Sequence, residues 1–351
     1  MPAMPPEPLP KRQFASDNYA GIAPEAWEAL ATANQGHAPA YGEDAWTDRV
    51  SERVRELFET NCEIFFTFNG TAANSLALAS VCRSYHSVIC HQHAHVETDE
   101  CGAPEFFSNG SKVLLIDGPN GKIEPEGIAQ TVTRRSDVHY PKPRAVSIAQ
   151  VTELGAVYQP KELALIGETC EDLGLYLHMD GARFAHAVAA LGRLPKELTW
   201  QVGVDVLCFG GTKLGMPVGD MVVFFDRELA HEFEYRCKQA GQLAAKMRFL
   251  AAPWLGMLDE DAWLRHAGHA NRQAAELSRR LQAIPGVTLL FPTEANSVFV
   301  ALPKAVRQGL RERGWSFYTF IGEDGVRLMC SWDTTDEDVK TLAREVAELS
   351  A

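Results

Sequence analysis

The chain has 351 residues, 46% of them hydrophobic, which is enough to bury a sizeable core in one large domain or two. Its 33 basic and 46 acidic side chains leave a formal net charge of -13, which argues against general attraction to nucleic acid or an anionic membrane, so an anionic ligand needs a local site. No apolar run reaches bilayer length and the eight cysteines show no Cys-x-x-Cys spacing, so a cytoplasmic protein with reduced thiols is expected.

Residues 1–13 carry five prolines and little apolar pattern and read as a flexible arm. From Phe14 short apolar runs alternate with helical patterns. "EIFFTF" (63–68) precedes "GTAANSLALASVC" (70–82), "SVIC" (87–90) precedes a histidine-rich exit, and "KVLLID" (112–117) and "AVSIAQV" (145–151) follow. "LYLHMD" (175–180) precedes "GARFAHAVAALG" (181–192), and "DVLCFGG" (205–211) closes the series. This alternation predicts an α/β domain with a largely parallel sheet. After "VGDMVVFF" the rhythm changes to a long mixed helical region. It is followed by the helix "HANRQAAELSRRLQAI", strands "VTLLF", "SVFVAL" and "VRLMCSW", and a closing amphipathic helix with acids in its first turn. The division expected is an arm over 1–13, a large domain over 14–249 and a small α+β domain over 250–351.

In open parallel sheets, ligands collect at the carboxyl ends of strands, so the residues just after each apolar run are the candidates. At the first such end Gly70, Thr71 and Ala72 open a helix whose free N–H groups suit a phosphate. On this stretch alone a plain strand-to-helix turn capped by Thr71 is the simpler reading. At the second, His91, His93 and His95 invite a metal reading, but no metal is assigned, because one face need not persist through a loop. A single imidazole stacked on a flat ligand is the sharper alternative. At the third, Asp180 ends an apolar run three residues before Arg183. At the fourth, Lys213 follows "VLCF" and two glycines, where partial desolvation makes an amine nucleophilic. No Walker loop, Gly-x-Gly-x-x-Gly, Gly-x-Ser-x-Gly or His-Glu-x-x-His motif occurs. A Schiff-base amine, an acid for a ring nitrogen, an anion cradle and a stacking ring are together what pyridoxal 5'-phosphate requires. Lys213, Asp180, Gly70–Thr71 and His95 supply them.

With "YGED" (41–44), "NGTAAN" (69–74), "HMDGAR" (178–183) and "FGGTKLGMPVG" (209–219), the chain resembles the low-specificity L-threonine aldolases, in their phenylserine-aldolase-like branch. The resemblance runs from "FASDNYAG" to "VRLMCSW". It implies the aspartate aminotransferase fold (fold type I): a mostly parallel seven-stranded sheet in a large cofactor domain and a smaller α+β domain. It further implies that Lys213 binds pyridoxal phosphate covalently, Asp180 partners the pyridine nitrogen, His95 stacks on the ring, and Gly70, Thr71 and Ala72 hold the phosphate. Arg183, Arg327 and Ser16 would contact the substrate carboxylate, and Tyr41 would favour bulky β-aryl groups. Arg248 would reach a neighbouring subunit's phosphate in a homodimer or homotetramer. The implied reaction cleaves threonine, allo-threonine, phenylserine and related β-hydroxy-α-amino acids to glycine and an aldehyde. The alternative is another fold type I enzyme, such as a β-eliminating lyase or a serine hydroxymethyltransferase-like enzyme. One departure stands out: "QVTEL" places Glu153 where many of these aldolases have a histidine, which leaves the base between His95 and a bound water.

Overall fold

The computed structural model describes residues 12–350, so residues 1–11 of the expected arm lie outside the described residues. Strands form where β-branched and aromatic residues cluster. They are β1 (Glu63–Thr67), β2 (His86–His91), β3 (Lys112–Ile116), β4 (Lys142–Ala149), β5 (Tyr176–Gly181), β6 (Val206–Phe209) and β7 (Asp220–Phe224). They build one seven-stranded sheet of order β1-β7-β6-β5-β4-β2-β3. The pairs from β6 through β5, β4 and β2 to β3 are parallel, while β7 runs antiparallel to both neighbours. β2, β6 and β7 are buried at every residue, as expected of strands covered on both faces.

Two local features bring the strand ends together. The helix Gly70–Val81 starts directly after β1, where the Asn69 side chain accepts from the Ala72 N–H at 2.9 Å. Its small residues let it lie deep, with Ala73 through Ala79 buried. Beneath the end of β6, Phe209 packs 4.9 Å from Trp254, 5.4 Å from Phe184 and 5.6 Å from Trp263, centroid to centroid. This aromatic floor anchors the turn that carries Lys213. Trp254, Met257, Trp263 and Ala267, which follow residue 249, belong to this first core.

The second sheet is antiparallel: β8 (Thr288–Leu289), β9 (Ser297–Ala301), β10 (Tyr318–Ile321) and β11 (Gly325–Met329), in the order β10-β11-β9-β8. Its core joins Val298, Val300, Val326 and Leu328 to Leu277, Leu281, Leu342 and Val346 of the flanking helices. Phe14 packs into the same core. Its N–H donates to the Ser316 carbonyl and its carbonyl accepts from Met329, both at 2.8 Å. The segment after the arm is thus tied to the small sheet just before it enters the site. No described helix is long and apolar enough to cross a membrane. All eight cysteines are free thiols, and seven are buried.

Candidate active site

The carboxyl ends of β1, β2, β4, β5 and β6 converge on two contiguous cavities. The smaller, about 280 Å³, is lined by Asn69, Gly70, Thr71, Gly210, Thr212 and Asp220, among others. The larger, about 510 Å³, includes Ser16, Glu153, Asp180, Arg183, Tyr318 and Arg327. Asn18, His95, Ala182 and Lys213 line both.

Lys213 sits in a short 3-10 turn, Thr212–Leu214, reached through Gly210 and Gly211. A Cβ on Gly210 would fall 2.6 Å from the Cα of Ala182, so glycine is what allows the Lys213 turn to close against the turn after Asp180. The Gly211 N–H donates to Asp220 Oδ1 at 2.8 Å, which fixes the turn from β7. Burial, then the charge of Arg183, depresses the Lys213 pKa below that of an ordinary lysine. A larger fraction of its amine is therefore neutral and nucleophilic at a given pH.

Asp180 is buried at the end of β5, its Oδ1 accepting from the Ala182 N–H and its Oδ2 from Asn74 Nδ2, both at 2.9 Å. Burial alone would raise its pKa. The charges of His95 and Lys213, with these hydrogen bonds, outweigh that and hold the carboxyl below its usual range. Asn74 also donates to Glu100 Oε1 at 2.8 Å, and Glu100 lies 2.9 Å from His95 Nδ1. The hydrogen bond that His95 Nδ1 donates to Glu100 raises the His95 pKa and orients the ring towards both cavities. Candidate ligand atoms of His95, Glu100 and Asp180 lie within 4.8 Å of one another, a spacing this hydrogen-bond chain accounts for. The three histidines of the second strand end do not converge. His91 is buried, its Nε2 on the Gly118 carbonyl at 3.1 Å and its Nδ1 accepting from the His93 N–H at 3.0 Å.

Arg183 is held by Asp17, Nε to Oδ2 at 2.7 Å and a terminal nitrogen to Oδ1 at 3.0 Å, leaving its other edge towards the cavity. Asn296 of the small unit donates to the same Asp17 Oδ2 at 3.0 Å. Arg327, on β11, lies across the cavity with its guanidinium 4.6 Å from the Phe320 ring and its buried Nε without a hydrogen-bond partner. Ser16 caps the 3-10 turn Asp17–Tyr19 and lines the larger cavity. Of the phosphate candidates, Gly70 and Thr71 line the smaller cavity, while the Ala72 N–H is committed to Asn69. Tyr41 and Arg248 are not among the residues lining either cavity. Tyr41 is 49% exposed with Lys238 4.5 Å from its ring centroid, and its N–H donates to Ala245 at 3.2 Å. Arg248 opens the helix Arg248–Leu258 with its buried Nε unpaired. Asp17, Asn74, Glu100, Asp220 and Asn296 were not anticipated. Asn74 lies in the "NGTAAN" stretch and Asp17 beside Ser16, but no local pattern gives any of the five its partner, which only the fold supplies.

The donor set fits pyridoxal phosphate: an amine of depressed pKa, an ionised acid facing the same cavity, an oriented imidazole, and a helix start beside a pocket. Comparison with known proteins agrees. The beta-eliminating lyase family model matches residues 13–305. The low specificity L-threonine aldolase of Pseudomonas aeruginosa is 63% identical over 95% of this chain and 97% of its own length. That of a Pseudomonas species is 61% identical over the same shares. A threonine aldolase structure from Leishmania major superposes with a TM-score of 0.92 at 27% identity, over 97% of this chain and 99% of its own. With that breadth of match, the chain belongs to the beta-eliminating lyase family, among its low-specificity L-threonine aldolases.

Proposed function

We propose that this protein cleaves L-threonine, L-allo-threonine and related β-hydroxy-α-amino acids, phenylserine among them, to glycine and an aldehyde, with pyridoxal 5'-phosphate as cofactor. The observation that carries the reading is Lys213 and Asp180 facing one cavity from adjacent strand ends, beside the helix start at Gly70.

Lys213 would hold the cofactor covalently through its amine, and Gly70 and Thr71 would hold its phosphate through N–H groups at the positive end of the helix. Asp180, kept ionised by His95 and Lys213, would keep a proton on the ring nitrogen. The ring of His95, which lines both cavities, would stack on the cofactor ring. When bound, the cofactor supplies an electron sink for the pair released as the Cα–Cβ bond breaks. The free edge of Arg183 and the unpaired Arg327 take the substrate carboxylate, and Ser16 adds a hydroxyl. The larger cavity is also lined by Tyr318, Phe320 and Ile321, the first two beside the Arg327 guanidinium. This aromatic and apolar wall supports acceptance of aryl side chains. The unpaired Arg248 and exposed Tyr41 support an assembly in which a second copy meets this face, the dimer being the smallest such unit and the tetramer a doubling of it.

Two measurements test the reading. The purified protein is expected to show a visible absorption band from the lysine-bound cofactor, lost together with activity in Lys213→Ala. A Lys213→Ala protein with normal turnover would refute it. Offering threonine, serine and phenylserine while measuring aldehyde, glycine, pyruvate and ammonia separates aldol cleavage from β-elimination. Pyruvate and ammonia as the main products would make it a β-eliminating enzyme instead.

A further inference from the structure

The larger cavity contains a carboxyl group to which the reading above gives no task. Glu153 follows β4 by four residues and lines this cavity with Arg183 and Arg327, but it is absent from the lining of the smaller cavity with Gly70 and Thr71. It therefore faces the compartment that receives the amino acid and not the one that receives the phosphate. Its Oε1 accepts from the His95 N–H at 2.9 Å, which ties its position to the His95 turn.

We propose that Glu153 takes the proton from the β-hydroxyl of the substrate, an assignment that rests on the aldolase reading. In the step, the O–H bond breaks and its proton passes to Glu153. The carbon–oxygen bond becomes a carbonyl as the Cα–Cβ bond breaks, and that bond's electron pair goes to the α-carbon. One proton is then added to the α-carbon, Glu153 returns to a carboxylate, and the sum is one amino acid giving one aldehyde and one glycine.

Three properties favour Glu153 over its neighbours. Asp180 is held as a carboxylate by His95, Lys213 and its two hydrogen bonds, and is occupied with the cofactor. His95 has Nδ1 at Glu100, and that contact raises its pKa, which makes it a poorer acceptor near neutrality. Burial, followed by the charge of Asp180, pushes Glu153 up to about 7, while its backbone hydrogen bonds and His95 pull it down. A group with that pKa both accepts and releases a proton readily at neutral pH. Lys213 from the turn after β6, Arg183 after β5, Tyr318 on β10, Arg327 on β11, and His93 and Asp99 on the β2 side complete the charged and titratable groups lining the cavity.

The test uses the holoenzyme with threonine and phenylserine. Glu153→Gln is expected to keep the cofactor's visible band and KM within a few-fold, and to lower kcat by about 10²–10⁴-fold. It is also expected to lose the acid limb of the kcat–pH profile, which in the wild type falls as the pH drops through the Glu153 pKa. Glu153→Asp keeps the carboxyl and should retain that limb at reduced kcat. Independently of turnover, infrared difference spectra of the two holoenzymes should show a protonated-carboxyl band that titrates near neutrality in wild type and is missing in Glu153→Gln. A Glu153→Gln enzyme with wild-type kcat and an intact acid limb overturns the proposal. So does a Glu153→Asp enzyme without an acid limb, or the absence of the infrared difference. Wild-type protein with the visible band but no aldehyde from either substrate overturns the aldolase reading, and this assignment with it.

Discussion

Asp17 holds Arg183, the arginine proposed for the substrate carboxylate, and replacing it tests how far the site depends on that support. Both oxygens of Asp17 accept from Arg183 and one also accepts from Asn296. Asp17→Asn keeps the shape but removes the charge and one of the acceptors, so an amide N–H₂ must face a donor of Arg183 or Asn296. Removing one partner of a buried ion pair costs about 3–5 kcal/mol. The side chain of Asp17 is 0% exposed and that of Arg183 is 16% exposed, so water can partly rescue the arginine and the lower end, about 3 kcal/mol, applies. For a chain of 351 residues that is a fall of roughly 4 °C in melting temperature.

The catalytic effect is separate. In the proposed role, an arginine that loses its orientation forfeits a charge-assisted hydrogen bond to the substrate carboxylate, about 1.5–3 kcal/mol, or roughly 10- to 150-fold in kcat/KM. The sign of the pH dependence also follows. Burial raises the Asp17 pKa, but the charge and hydrogen bonds of Arg183, helped by Lys213 and His186, outweigh it and bring the net value below the usual 3.8. The stabilisation is therefore complete above the unfolded value near 4 and is lost as the pH falls through the lower folded one. Thermal melts of wild type and Asp17→Asn should differ most near neutrality and converge in acid. A variant with unchanged melting temperature and unchanged kcat/KM at neutral pH would refute the reasoning.

Asp180→Ala removes the acceptor of the Ala182 N–H and of Asn74, and with it the charge proposed for the ring nitrogen. It is expected to weaken cofactor retention and to lower kcat by at least about 10²-fold, read by the visible spectrum and aldehyde formation. Arg327→Lys replaces a planar fork by a point charge. It should raise KM for threonine roughly tenfold while leaving the cofactor spectrum unchanged, and an unaltered KM would remove Arg327 from the carboxylate site.

The sequence shows the parts of this protein whose signals are local. Each parallel strand is a short apolar run, and Asp180 and Lys213 stand out because each lies at or just beyond the end of such a run. The antiparallel direction of β7 is not readable, since a strand buried on both faces has no alternation to orient it. β10 is missed for the opposite reason: its residues are exposed or half-buried, so no apolar face marks it. Asp17 and Asn296, 279 residues apart, and Asn74 and Asp180, 106 apart, become partners only through the fold.

The same limit applies to the chemistry of a recognised residue. Glu153 and Asp180 are both acids at the ends of neighbouring strands, and burial acts on both in the same direction, raising the pKa. Asp180 lies where His95, Lys213 and two hydrogen bonds reverse the effect, so it stays charged. For Glu153 the nearby Asp180 adds to the effect of burial, and the carboxyl is left near neutrality. One acid thus suits a permanent charge and the other a mobile proton, a division of labour set by which charges the fold brings near each of them.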